Sequence, residues 1–194
     1  MKRVILWLKN FIRLITSFQP KVQPFATIQE KTISFNLKSK VIRLSPNFTL
    51  LEFIKSQTAL RNGIDNTPKP EHIKAARLLF KYVVQKVRDR FGVTVLGSGY
   101  RSPKLNKAIG GSKASQHCKG EATDLEVPNV SNVAVAQWIR DNLKFDQLIL
   151  EFYTPGDPSS GWVHVSYKAS GNRQEVLTAK RVNNKTVYVE GLAA

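Results

Sequence analysis

The stretch Ser115–Asp124 constrains this chain more than any other. It reads S-x-H-x-x-G-x-A-x-D, and forty residues after Asp124 a further histidine follows in Trp162-Val163-His164. The chain has three histidines, His72, His117 and His164, so two of the three belong to this arrangement. Two imidazoles and one carboxylate form a donor set that holds a zinc ion and leaves a coordination position for water, the pattern of a hydrolytic metal site. Any fold that uses them together must bring His164 back beside the His117–Asp124 segment.

A chain of 194 residues is long enough for one well-packed domain plus an appendage. Hydrophobic residues at 42% and charged residues at 23% belong to a globular class. The charge balance is less usual. Thirty Lys and Arg against fourteen Asp and Glu leave +16, which draws a chain toward a polyanion such as nucleic acid, an anionic membrane or an anionic bacterial wall polymer. No recognition-helix motif, zinc finger or aromatic ribonucleoprotein signature accompanies that charge, which argues against a nucleic-acid partner. Cys118 is the single cysteine, so no internal disulfide and no Cys₄ or Cys₂His₂ zinc site can form. Beside His117 it reads as a small residue in a turn rather than a ligand.

The first residues, 1–18, read as a basic amphipathic helix. Val4, Leu8, Phe11, Leu14, Ile15 and Phe18 recur at helical spacing, with Lys2, Lys9, Arg13 and Ser17 on the other side. Lys9 leaves the apolar run too short to span a bilayer, and no A-x-A-like cleavage site follows. The helix therefore either lies on an anionic membrane surface or packs its apolar face on protein, and its role as export signal stays open. Residues 19–47, with Pro20, Pro24 and Pro46, read as a linker with short strands.

Residues 48–194 read as the main domain. Thr49 and Glu52 have capping-box spacing, and Gly63 stops that helix. A longer helix is predicted from Pro70 to Phe91, with Ile73, Ala76, Leu79, Phe80, Val83, Val84 and Val87 as its buried stripe. Val93–Leu96 reads as a strand, and Ser102-Pro103 opens a short helix that closes at Gly110-Gly111. Ala122–Val127 is a strand, Asn132–Asn142 a helix, and Gln147–Tyr153 and Trp162–Tyr167 neighbouring strands. Two more strands are expected near Gln174–Ala179 and Thr186–Val189. Helices first and mainly antiparallel strands after predict an α+β fold, helices packed on one mainly antiparallel sheet that carries the zinc site.

If Thr154–Gly161 is a symmetric hairpin loop, Glu151 lies directly opposite His164 on the same sheet face. Its carboxylate then reaches a metal-activated water without binding the metal, the position of a general base. One residue of slip would turn it away. Zinc held by His117, Asp124 and His164 would lower the pKa of water from about 16 toward about 7. Asp124 is preferred to Glu126, two residues on, by motif spacing. Arg101, in the turn Gly99-Tyr100-Arg101-Ser102-Pro103, is placed to aim a guanidinium at a carbonyl oxygen or substrate carboxylate, or to bridge carbonyls in its own loop. Tyr100 joins it as a candidate substrate contact. Ser115 is either a substrate contact or a turn cap. Trp162 and Phe152 read as core, and His72 as a surface residue.

These residues resemble the zinc D,D-peptidases of the M15 type, which include D-alanyl-D-alanine carboxypeptidases, D-Ala-D-Ala dipeptidases and several phage endolysins; the Hedgehog signalling domain shares their fold. The resemblance runs from Phe48-Thr49-Leu50-Leu51-Glu52-Phe53 through Gly63-Ile64-Asp65-Asn66, Ser98–Pro103, Ser115-Gln116-His117, Gly120, Ala122 and Asp124 to Trp162–Ser166, and fades by Arg173. It implies that His117, Asp124 and His164 bind Zn2+, that Arg101 contacts substrate and that Ser115 lies in the substrate cleft. It also implies that peptidoglycan peptides containing D-amino acids are the substrate. Many members carry the catalytic Glu three residues before the last His, where this chain has Gly161. The base must then come from elsewhere, or the domain is a non-catalytic, zinc-stabilised module bound to the cell wall or a virion. The expected setting is a bacterial cell wall or periplasm, or a phage-encoded protein released at lysis or carried on the virion, with peripheral membrane contact through the basic surface and the 1–18 helix.

Overall fold

The computed structural model describes residues 41–192. The predicted helix over 1–18 and residues 19–40 of the predicted linker lie outside these residues. The described part is α+β, with helices packed against a mainly antiparallel six-stranded sheet.

A two-stranded ladder opens it, β1 (Arg43–Ser45) with β2 (Phe48–Thr49). Leu44 is buried in the main core, so packed structure begins within the stretch read as linker. Two short helices follow rather than one. Thr49 caps α1 (Leu50–Ile54) through the predicted capping box, but Lys55 turns extended and Ser56 caps a new helix, α2 (Gln57–Arg61). The serine cap is the signal that sequence reading passed over.

The long helix is present as one rod in three parts: α3 (Pro70–Leu79), a π-helical turn (Phe80–Val84) and α4 (Gln85–Phe91). Its predicted stripe is buried, Ile73 only partly. Phe80 meets Phe48 and Phe53 edge-on, each with ring centroids 5.2 Å apart. Burying one such side chain stabilises by roughly 1.5–3 kcal/mol. The π turn brings Gln85 inward, where it hydrogen-bonds Ser45, Asn47 and Asp89 and clamps the β1–β2 turn to the rod.

Then come β3 (Val95–Ser98), α5 (Pro103–Ala108), a 3₁₀ turn (Gln116–Lys119), β4 (Ala122–Glu126), α6 (Asn132–Asn142), β5 (Gln147–Glu151), β6 (Trp162–Ser166), β7 (Glu175–Val182) and β8 (Lys185–Glu190). The sheet order is β3-β4-β6-β5-β7-β8, antiparallel throughout except for the parallel pair β5–β7. Side chains alternate between the faces of a sheet. Leu125, Leu148, Leu150, Val163 and Val165 join the core with α3, α4 and α6. Asp124, Ile149, Glu151 and His164 therefore point to the other face. No helix among the described residues is long and apolar enough to cross a membrane.

Candidate metal centre

Register brings the first two ligand candidates together. Asp124 on β4 lies directly opposite His164 on β6, and His164 Nδ1 sits 2.8 Å from Asp124 Oδ1. His117 arrives from the 3₁₀ turn. Its Nδ1–H donates to the Gly99 carbonyl at 2.7 Å; a carbonyl can only accept, so the proton is on Nδ1 and the Nε2 lone pair is free. That Nε2 lies 3.2 Å from His164 Nδ1 and 3.3 Å from Asp124 Oδ1. All three ligand atoms fall within 4.8 Å of one another, and all three residues are buried.

The loop that supplies the Gly99 carbonyl needs glycine. A Cβ at Gly99 would stand 2.1 Å from the Phe53 carbonyl oxygen, and the next amide, Tyr100 N–H, donates to that same oxygen at 2.9 Å. Close approach of two backbones thus sets the imidazole of His117.

The electrostatics suit a cation. Burial pushes the pKa of His117 down despite the pull of Asp124, leaving a neutral imidazole. Burial alone would raise the Asp124 carboxyl, but the adjacent histidines outweigh it and hold the group well below the usual carboxylate range. Arg101 Nη2 donates to the outer oxygen, Asp124 Oδ2, at 2.9 Å, while its Nε donates to Ser98 Oγ at 2.9 Å. The guanidinium thereby leaves Oδ1 turned toward the histidines, as a partner beyond the ligand shell does in metal sites. Two imidazole nitrogens and one ionised carboxylate oxygen match the donor chemistry of a catalytic zinc site, and the cluster could hold such an ion.

The cluster borders an open cavity of about 760 Å³ that is also lined by Arg101, Ser115, Gln116, Glu151, Phe152 and Trp162. Glu151 reaches it by a different register from the one predicted. It pairs with Trp162, and Ile149 pairs with His164. The connection runs over 152–161 because Phe152 leaves the strand at φ +54°. The slip is two residues, so parity is kept and Glu151 still faces the side of His164. Burial first, and the charge of Asp124 second, raise the Glu151 carboxyl above its ordinary value, against His164 and Arg101.

Gly161, three residues before His164, has no room for a side chain. Its φ is +66°, and a Cβ there would lie 2.0 Å from the Glu151 carbonyl oxygen. The position that carries Glu in an E-x-x-H pattern is thus closed, and the carboxylate beside the cluster comes from the adjoining strand.

Other candidates are placed as follows. Ser115 lines the cavity and its side chain makes no cap hydrogen bond. Tyr100 is corrected as a substrate contact: it is packed in the main core, with its ring 5.2 Å from that of His72, and does not line the cavity. His72 is half-buried rather than on the surface, its Nδ1 buried without a hydrogen-bond partner among the described residues. Phe152 and Trp162 are cavity-lining and half-buried rather than core, their rings 5.3 Å apart. Glu126 is exposed, and Cys118 is outside the cluster. Asp146 was not anticipated. It is buried, accepts from Arg173, Lys168 and Gln116, and ties the start of β5 to the turn carrying His117. A buried charge with three distant donors leaves no local sequence mark.

A family model described as Peptidase M15 matches residues 46–166. No curated protein matches the chain.

Proposed function

Because the chain belongs to the Peptidase M15 family, and so to the metal-binding peptidases, we propose that it is a zinc-dependent enzyme hydrolysing D-amino-acid-containing peptide bonds of bacterial peptidoglycan. The observation that carries this reading is the convergence of His117, Asp124 and His164 beside Glu151 in one cavity. Zinc held by those three residues would lower the pKa of water from about 16 toward about 7 and polarise the scissile carbonyl.

The remaining work falls to side chains. Glu151 accepts a proton from the attacking water as the C–O bond forms, then returns it to the leaving amine as the peptide C–N bond breaks. Its environment favours the proton-carrying form more than an ordinary glutamate's, which suits a group that must both take and give. Arg101 holds Asp124 through Nη2 and offers its remaining N–H groups to the substrate carbonyl or a substrate carboxylate. Ser115, without a cap bond of its own, supplies a hydroxyl to the substrate chain. The +16 charge adds attraction to an anionic wall polymer or membrane, an attraction that weakens as salt rises. The protein acts at the bacterial wall, in the periplasm, or as a phage product at lysis or on the virion.

The test is hydrolysis of purified peptidoglycan by wild type and by Glu151→Gln, with bound zinc measured in both. Wild type is expected to release peptides or free amino acids, and the variant to keep zinc yet lose about 10²–10⁴-fold in rate. If both retain zinc and neither cuts, the domain is a zinc-stabilised wall-binding module instead.

A further inference from the structure

The sheet register extends the site beyond the family-matched residues. Reading across the strands, Trp162 on β6 pairs with Glu151 on β5, Glu151 with Ala179 on β7, and Ala179 with Tyr188 on β8. Paired residues point to the same face, so Tyr188 shares the face of Glu151 and lines the same cavity, together with Leu177. The residue between them is an alanine, fully buried, and no larger side chain in that row separates the phenol from the carboxylate. Partial burial and the charge of Glu151 both push the phenol's pKa up.

Tyr188 is not needed for packing. It is 54% exposed on a strand whose every residue is exposed. A large amphipathic ring held on a strand, open to solvent and turned into a cavity, has the form of a ligand contact. Strands β7 and β8 also lie past residue 166, where the family match ends.

We propose that Tyr188 is a substrate-contacting, specificity-determining residue, and that the β7–β8 hairpin is the wall against which the substrate's peptide chain lies beside Glu151. The ring covers an apolar stretch of the peptide and the hydroxyl bonds a peptide group. The inference rests on the peptidase reading for the class of ligand, a peptidoglycan stem peptide, but not for the contact itself.

The experiment titrates a soluble stem peptide into zinc-loaded Glu151→Gln protein by calorimetry, with and without Tyr188→Ala, and measures KM and kcat of Tyr188→Ala in the active background. Val187→Ala is the control, since neighbouring residues of a strand face opposite sides. Tyr188→Ala is expected to weaken binding and raise KM about ten-fold, with kcat within about two-fold, and with zinc content and Tm unchanged; Val187→Ala should change none of these. Parent-like binding in Tyr188→Ala, or an equal loss in Val187→Ala, overturns the proposal. Weakened binding in Tyr188→Ala alongside a wild type that cuts nothing keeps the contact and refutes the peptidase reading. A parent protein that does not bind the peptide refutes the contact.

Discussion

Gly161 shows how one backbone position decides which strand brings a carboxylate to the cluster. Its φ of +66° is a conformation that side chains rarely adopt, and a Cβ would collide with the Glu151 carbonyl oxygen. Placing Glu at 161 to restore an E-x-x-H pattern therefore forces the β5–β6 connection to move. Gly161→Glu should lower stability by about 2–4 kcal/mol, read from urea unfolding, and should not rescue Glu151→Gln when the two are combined. A stable, active double variant would show that the loop yields and that the base can sit on either strand. Phe152, at φ +54°, is a second unusual conformation beside Glu151. Between them these two residues bend the chain sharply at both ends of the connection.

At the scale of elements, Asp146 joins three pieces that are far apart in sequence. Arg173 Nη2 donates to it at 2.7 Å, Lys168 Nζ at 2.8 Å and Gln116 Nε2 at 3.1 Å. Burial would raise its carboxyl, but the bonds from Arg173 and Lys168 win and hold the pKa far below its ordinary value. A carboxyl with a depressed folded pKa stabilises fully above its unfolded pKa of about 3.9, and that contribution is lost as pH falls through the folded value. Asp146→Asn should cost about 2–3 kcal/mol at pH 7, less than a fully buried pair because Arg173 and Lys168 are partly exposed. As pH falls below about 4 the gap should narrow progressively, closing only as the folded pKa is reached. Urea unfolding across pH 2–7 measures this, and a constant gap between the two curves would show that the charge of Asp146 is not what stabilises.

For the whole molecule, a metal ion held by the cluster would be a cross-link. His117 comes from the 3₁₀ turn, Asp124 from β4 and His164 from β6, so an ion bound there ties the turn to the sheet. A ligand that binds only the folded state stabilises it, by about 2.7 kcal/mol at a hundred times its Kd. Chelation should lower the Tm of wild type, and zinc should restore it. His164→Ala should purify without zinc and melt at the same temperature with or without chelator. A full complement of zinc in that variant would remove His164 from the ligand set.

Much of this was legible along the chain because it is local. The apolar stripe Ala76–Val87, the apolar run within Gln147–Glu151 and the spacing of His117 and Asp124 each follow from a pattern within one segment, and each recurs in the fold. What failed was pairing across segments. A symmetric loop would set Glu151 against His164; the early exit of Phe152 and the turn at Gly161 set it against Trp162 instead. Tyr100 sat in the right turn but points into the core, because a loop motif does not record which side of the backbone faces the cavity. By itself, then, the sequence determined most of the elements, the three residues that cluster and the side of the sheet that Glu151 faces, since a two-residue period survives a two-residue slip. Only the tertiary structure decided the register, the pinning of Asp124 by Arg101 and the place of Tyr188 in the cavity wall. Those depend on which strands lie side by side, and that order is set by packing over the whole sheet.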